Sequence, residues 1–221
     1  MRIFLTGATG FIGSHVIPYL LEGGHQVLGL TRSDAGAKQL AAAGVESHRG
    51  DLDDPSTLRS GAEKSDAVIH CAFDHDFTRF LENCEKDKRN IDAMGEALAG
   101  SKRPFVITSG IGMGSRAPGE LATEDVFNEA NPHPRRISEV TGNALLARGL
   151  NVSYVRLPQV HDTHKQGLVT QLVAVARAKQ RVAYLGEGKN RFAAAHVSDV
   201  ARLYKLVVER TEPGARYHAI A

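Results

Sequence analysis

The chain has 221 residues, 42% of them hydrophobic and 24% charged, with 27 basic against 25 acidic side chains and a formal charge of +2. A chain of this make-up buries most of its apolar surface in one globular domain, which excludes a disordered segment and a disulfide scaffold. The basic residues form no concentrated tract, so nucleic acid is not an expected partner, and no stretch approaches the ~20 apolar residues that a bilayer crossing needs. Thr6-Gly7 interrupts the first apolar run before an export signal fills out. Cys71 and Cys84 fall on an inner strand and a helix, so reduced thiols and a cytoplasmic location are expected.

Short β-branched or apolar runs alternate with helical patterns, the mark of a parallel sheet covered on both faces. In chain order the pattern predicts a strand at 2–6, a helix at 12–22 stopped by Gly23-Gly24, and a strand at 25–30. A helix at 35–43 closed by Gly44, a strand at 45–48 and a short helix at 55–60 with Asp54 as N-cap follow. Then come an apolar strand at 67–73, a long helix at 78–98 ended by Gly100, a strand at 105–108, a helix at 137–148 ended by Gly149, and a strand at 151–156. An amphipathic stretch at 168–178, a short strand at 182–185, a helix at 199–209 and a strand at 217–221 complete the chain. The expected fold is α/β, a doubly wound parallel sheet with a core at 1–160 and a small C-terminal part at 161–221. Two long loops, 110–135 and 157–166, leave the carboxyl ends of strands, where such sheets build binding sites.

Thr6-Gly7-Ala8-Thr9-Gly10-Phe11-Ile12-Gly13 follows the first strand and opens the first helix. A pyrophosphate needs backbone N–H groups aimed at it, the positive end of a helix dipole and no side chain in the way. Gly7 suits the tight bend, Gly10 the close approach of the ligand and Gly13 the packing of helix on strand. The glycines are spaced three and three, unlike the two-then-three spacing of the common dinucleotide fingerprint.

This octapeptide resembles the cofactor turn of the extended and atypical branches of the short-chain dehydrogenase/reductase superfamily, which include epimerase/dehydratase-like proteins. The resemblance continues at strand ends, in Thr31-Arg32-Ser33, Gly50-Asp51-Leu52, Cys71-Ala72-Phe73, Ile107-Thr108-Ser109-Gly110 and Val155-Arg156-Leu157-Pro158. Residues 186–203, with Arg191-Phe192 and His196-Val197-Ser198-Asp199-Val200-Ala201, extend it over nearly the whole chain. It implies a Rossmann-type sheet holding a nicotinamide dinucleotide at Gly7, Thr9, Gly10, Phe11, Ile12 and Gly13, with Ala72, Phe73, Ser109 and Pro158 on the nicotinamide side. It also implies hydride transfer to or from a small carbonyl or alcohol substrate, in a monomer or in a homodimer formed through the helices at 78–98 and 137–148. Chains of this kind continue past the last strand into helices that cover the substrate, so the lid here is expected to be short or cut away.

An acidic residue ending the second strand would pair with the ribose hydroxyls of NAD, whereas this chain has Arg32 and Ser33 there. A guanidinium fork matches a phosphate and serine adds a hydroxyl, which favours NADP, while Asp34 lies close enough to serve NAD. Asp51 and Leu52 are expected to flank the adenine, with Asp51 as an alternative cap for the helix at 55.

The resemblance assigns the substrate carbonyl to Thr108 or Ser109 and asks for a tyrosine with a lysine four residues on, one helical turn away. Chain order puts that pair at Arg135 and Glu139, and none of the five tyrosines has a lysine at the fourth position after it. Two readings follow. Arg135 stabilises a developing alkoxide in an active reductase, or Arg135 and Glu139 form a structural ion pair in a non-catalytic NADP-binding sensor.

His70, Asp74, His75 and Asp76 crowd the end of the fourth strand and His161-Asp162-Thr163-His164 the loop after the sixth, but no pair sits at metal-binding spacing on a helix, so no metal is expected. His133, His161 and His164 are candidate polar contacts for the substrate. His196 is read as core, and Glu124 and Asp125 as surface charge. Thr108-Ser109-Gly110 lacks the first glycine of a nucleophile elbow, which sets a hydrolase aside.

Overall fold

The computed structural model describes residues 1–117, 119–165 and 167–220. Strands β1 (Arg2–Thr6), β2 (Gln26–Thr31), β3 (Glu46–Arg49), β4 (Ala67–His70), β5 (Pro104–Gly110), β6 (Asn151–Leu157) and β9 (Arg216–His218) form a seven-stranded sheet in the order β3-β2-β1-β4-β5-β6-β9. Every pairing in it is parallel. The order reverses between β1 and β4, and in a doubly wound sheet the crevice outside the carboxyl ends at that point is where ligands bind.

Alternation along the strands sends successive side chains to opposite faces. Ile3, Leu5, Ile69, Val106 and Val155 face α1 (Phe11–Glu22) and α7 (Val197–Arg210), whose Val16, Leu20, Val200, Ala201 and Tyr204 complete one core. Phe4, Val68, Phe105, Ile107, Val152 and Tyr154 face the other way. There they meet Leu58 and Ala62 of α3 (Pro55–Glu63), Ile91, Met94 and Leu98 of α4 (Phe80–Leu98) and Leu145 of α5 (Ile137–Ala147). The short α2 (Asp34–Ala42) adds Leu40 to the first core. Gly24, Gly44, Gly100 and Gly149, each following a helix, take the left-handed conformation that glycine adopts without a Cβ clash.

The expected helices and strands of the first 157 residues are all present, with shifts of a few residues at their ends. Asp54 caps α3 by accepting from the Ser56 N–H at 3.1 Å. The predicted strand at 67–73 stops at His70, because the Ala72 N–H turns to donate to Thr6 Oγ1 at 3.1 Å and leaves the ladder.

The last quarter departs further from expectation. No strand forms at 182–185, where Val182, Tyr184 and Leu185 lie exposed. β propensity without a neighbouring strand to pair with does not make a strand. Instead β7 (Gln159–His161), inside the expected loop, pairs in parallel with β8 (Ala194–His196). The amphipathic stretch becomes α6 (Val169–Lys179), but none of its described residues is buried. α7 starts two residues earlier than predicted, and His196 is not core: it is exposed and caps α7, its Nδ1 accepting from the Ser198 N–H at 3.3 Å. The final strand ends at His218, and the ends of two expected segments, Gln166 and Ala221, lie outside the described residues. No described helix is long and apolar enough to cross a membrane.

Candidate functional site

The turn between β1 and α1 is built as its glycines require. Gly7 has φ +69°, and a Cβ there would sit 2.9 Å from the Ala72 backbone nitrogen. A Cβ on Gly13 would run into the Gly7 carbonyl, so Gly13 closes the turn on itself rather than on the strand. Gly10 donates to that carbonyl at 2.8 Å and is the N-cap of α1. No side chain caps this helix and no acidic residue lies in its first turn, so the positive end of its dipole stays open. Thr9 and Phe11 are half-buried around it, and Ile12 packs against the first core.

At the end of β2, Arg32 is exposed and bonds to no described residue, while Asp34 is paired with Arg49 at 2.9 Å. Ser33 Oγ caps α2 by accepting from the Gly36 N–H at 3.0 Å. Asp51 Oδ1 accepts from the Asp53 N–H at 3.0 Å, so it shapes the turn before α3 while Asp54 does the capping. Leu52 packs on the second core and its carbonyl accepts from Asn90 at 3.1 Å.

Thr108 and Ser109 end β5 on opposite faces. Thr108 Oγ1 donates to the His70 carbonyl at 2.6 Å and shares a 2.6 Å hydrogen bond with the Tyr204 hydroxyl. Tyr204 is fully buried, and burial pushes its phenol well above the usual range. Cys71, also a free thiol, lies beside both, and burial raises it to about 12. Ser109 faces the α5 side; it is 4% exposed and its hydroxyl bonds to no described residue. A buried hydroxyl left unbonded costs free energy, and its place at a strand's carboxyl end makes Ser109 a candidate ligand contact.

The Arg135–Glu139 ion pair of the second reading does not form. Arg135 pairs with Asp87 of α4 and with Ser138, and its guanidinium lies 4.0 Å from the centre of the Phe73 ring. Asp87 also accepts from Ser138 Oγ at 2.8 Å and from His70 Nε2 at 3.0 Å, and His70 Nδ1 meets Thr6 Oγ1 at 2.7 Å. Burial pushes the Asp87 carboxyl up, but Arg135, His70 and Ser138 outweigh it and lower it to about 2. The chain of polar groups thus runs from the glycine turn to Arg135. The Nε and Nη2 of Arg135 donate to no described residue, which leaves half of a charged fork available beside Phe73.

Glu139 pairs with Arg156 instead, both 0% exposed, in a bidentate fork with 2.8 Å in each arm. Arg216 adds a third contact to Glu139 at 3.1 Å. His133 and His75 line the same edge as Arg135, in a cluster of edge-to-face rings with Phe73, Phe77 and Phe80. Burial, then the neighbouring Arg135, lowers both imidazoles, which favours their neutral forms. His161 packs against His196 across the β7–β8 pair, Lys165 lies 5.0 Å from the Phe11 ring, and Pro158 is half-buried just after β6. Glu124 is not merely surface charge, since it accepts from the His218 N–H at 2.6 Å.

Asp87, Ser138 and the Glu139–Arg156–Arg216 cluster were not singled out by their chemistry in the sequence. Two signals were present. Asp87 falls on the stripe Cys84, Asp87, Ile91, Met94, Leu98, which is otherwise apolar, and Arg156 interrupts the apolar run Tyr154-Val155-Arg156-Leu157.

An uncharacterized protein of Schizosaccharomyces pombe, C2A9.02, is 43% identical over 222 residues, covering 100% of this chain and 75% of that protein. Another of Saccharomyces cerevisiae, YLL056C, is 39% identical over 224 residues, covering 100% and 74%. In structure the chain is similar to UDP-glucose 4-epimerase of Thermus thermophilus, solved in complex with NAD, with a TM-score of 0.76, 22% identity, and coverage of 100% of this chain and 78% of that one. The sequence pattern of one family matches residues 3–220, from the first strand through the glycine turn to the last, and the chain therefore belongs to the NAD dependent epimerase/dehydratase family.

Proposed function

We propose that the chain is an NADP-binding oxidoreductase that transfers hydride to or from a small carbonyl or alcohol substrate. The observation that carries the reading is the turn at Gly7–Gly13, where the backbone packs too closely for a Cβ at Gly7 or Gly13 and α1 begins without a side-chain cap. Its N–H groups and dipole suit a pyrophosphate, and the Thermus structure in the same fold was solved with NAD. When bound, the nicotinamide supplies or takes up the hydride. Gly7, Thr9, Gly10, Phe11, Ile12 and Gly13 hold the phosphates, Asp51 and Leu52 border the adenine, and Ala72, Phe73 and Pro158 border the nicotinamide side. Arg32, free of any described partner, and Ser33 meet the 2′-phosphate, because the carboxylate that would serve NAD, Asp34, is engaged by Arg49.

Ser109 is the group that bonds the substrate oxygen, since its hydroxyl is buried and unbonded, whereas Thr108 faces away and supports β4 and α7. Arg135 stabilises negative charge on that oxygen through its two unengaged nitrogens. Residues 161–221 contribute to the substrate side and return to the core, with 1–160 as the cofactor core. The protein works in the cytoplasm as a monomer or homodimer.

A specific observation favours a second reading, a cofactor sensor without turnover: Arg135 is already paired with Asp87, and no tyrosine–lysine pair exists. The two readings separate on one experiment. NADPH binding is measured by fluorescence beside NADH, then NADPH oxidation is followed with a panel of aldehydes and ketones for the native chain and for Ser109→Ala. Tighter NADPH than NADH binding, lost in Arg32→Asp, with turnover that Ser109→Ala lowers by about a hundredfold, is expected of the reductase. Binding with no turnover across the panel would favour the sensor, and equal affinity for the two cofactors would sink the NADP assignment.

A further inference from the structure

We infer that Arg156 and Glu139 are positioning residues that fasten the segment between Ser109 and Arg135, residues 111–133, across the substrate side of the site. The inference rests on the proposed function for what the site binds, but the fastening itself stands on geometry.

Three observations converge. First, Arg156 is the ladder partner of Ser109 in β5–β6, so both side chains leave the sheet on the α5 face next to each other. Second, the guanidinium reaches past Glu139 into the segment: Nη1 donates to the Thr123 carbonyl at 3.1 Å and Nη2 to the Val126 carbonyl at 2.8 Å. A Cβ on Gly114 would lie 2.7 Å from that Nη1, so a glycine is needed where the segment passes over the charge. Third, Glu139 orients the fork from below, itself held by Arg216, and the Glu124–His218 contact ties the same segment to β9. Pinned at 123 and 126, the segment is held between Ser109, which the β5–β6 ladder fixes, and the turn carrying His133 and Arg135. Glu139 bonds to Arg156 and Arg216 rather than to Arg135, and it acts on the site through Arg156.

The test uses the full chain with Arg156→Lys and Glu139→Gln. Arg116, in the fastened segment and largely exposed, is a trypsin site, and Lys102 and Arg148 are exposed sites on the sheet framework. Under native conditions, cleavage after Arg116 should rise about tenfold while cleavage after Lys102 and Arg148 stays level, the mark of local rather than global opening. Added NADPH should bind both variants within about twofold of the native affinity, while the emission of the bound nicotinamide falls toward that of free NADPH. Cleavage that rises equally at all three sites, or at none, overturns the fastening. Raised cleavage at Arg116 with nicotinamide emission unchanged overturns the positioning role and leaves a loop anchor. If neither variant folds, hydrogen exchange on the native chain decides: unprotected amides at Thr123 and Asn128, which donate to Gly114 and Met113 carbonyls, would refute the fastening. Failure of the native chain to bind NADPH refutes the cofactor reading, and the proteolysis result still decides the fastening.

Discussion

Two buried arginine–carboxylate pairs stand one helical turn apart, and they differ in what is left over. Around Arg156 nothing remains: Glu139, two backbone carbonyls and His218 take its donors, and neither partner is exposed. Around Arg135 the carboxylate is saturated, with donors from Arg135, Ser138 and His70, but the guanidinium keeps two nitrogens and a ring-facing surface at the edge of the site. A buried charge offsets its desolvation only when it is fully bonded. A sealed pair therefore reads as architecture, and a half-open one as a site.

The largest expected effect breaks the sealed pair. Glu139→Ala leaves Arg156 charged, buried and without its counter-ion, which should cost about 3–5 kcal/mol. Against a typical total of about 5–15 kcal/mol this is enough to lower the denaturant midpoint severely. Loss below about 1 kcal/mol would mean the pair is solvated in solution and the contrast with Arg135 does not hold.

The second effect concerns acid. Asp87 is lowered in the folded chain to about 2 from an ordinary value of 3.8, so the stability it contributes is fully present above about pH 4 and is lost as the pH falls toward 2. The size is of order 2 kcal/mol. Asn cannot titrate, so the stability of Asp87→Asn should fall less steeply between pH 5 and 2 than that of the native chain. Urea midpoints measured across that range decide it, and parallel curves would show that this network does not lower the Asp87 carboxyl.

How much of this the sequence made legible follows a physical line. The glycine turn, the alternating strands and α3 with its Asp54 cap are local: a bend, a period and a cap are each written in neighbouring residues. Arg32 and Ser109 were legible as positions because strand ends are local too. The partners of Arg135 and Glu139 were not. Asp87 lies 48 residues before Arg135 and Arg156 lies 17 after Glu139, and only the packing of α4 and β6 against α5 decides which carboxylate meets which guanidinium. The missing strand at 182–185 failed for the same reason, since a strand needs a neighbour that its own residues cannot specify.

The smallest effect sharpens the comparison at its open end. In Arg135→Lys the ammonium can still pair with Asp87, so the fold should lose only about 1 kcal/mol, from the ring contact and the lost fork. A lysine that pairs with Asp87 has no second arm to turn toward the substrate oxygen. Turnover should therefore fall by about tenfold or more, with NADPH affinity unchanged, whereas Arg135→Ala should lose turnover and also strand the Asp87 charge. If Arg135→Lys turns over at the native rate, the unengaged nitrogens of Arg135 take no part in the reaction, and both pairs are then architecture.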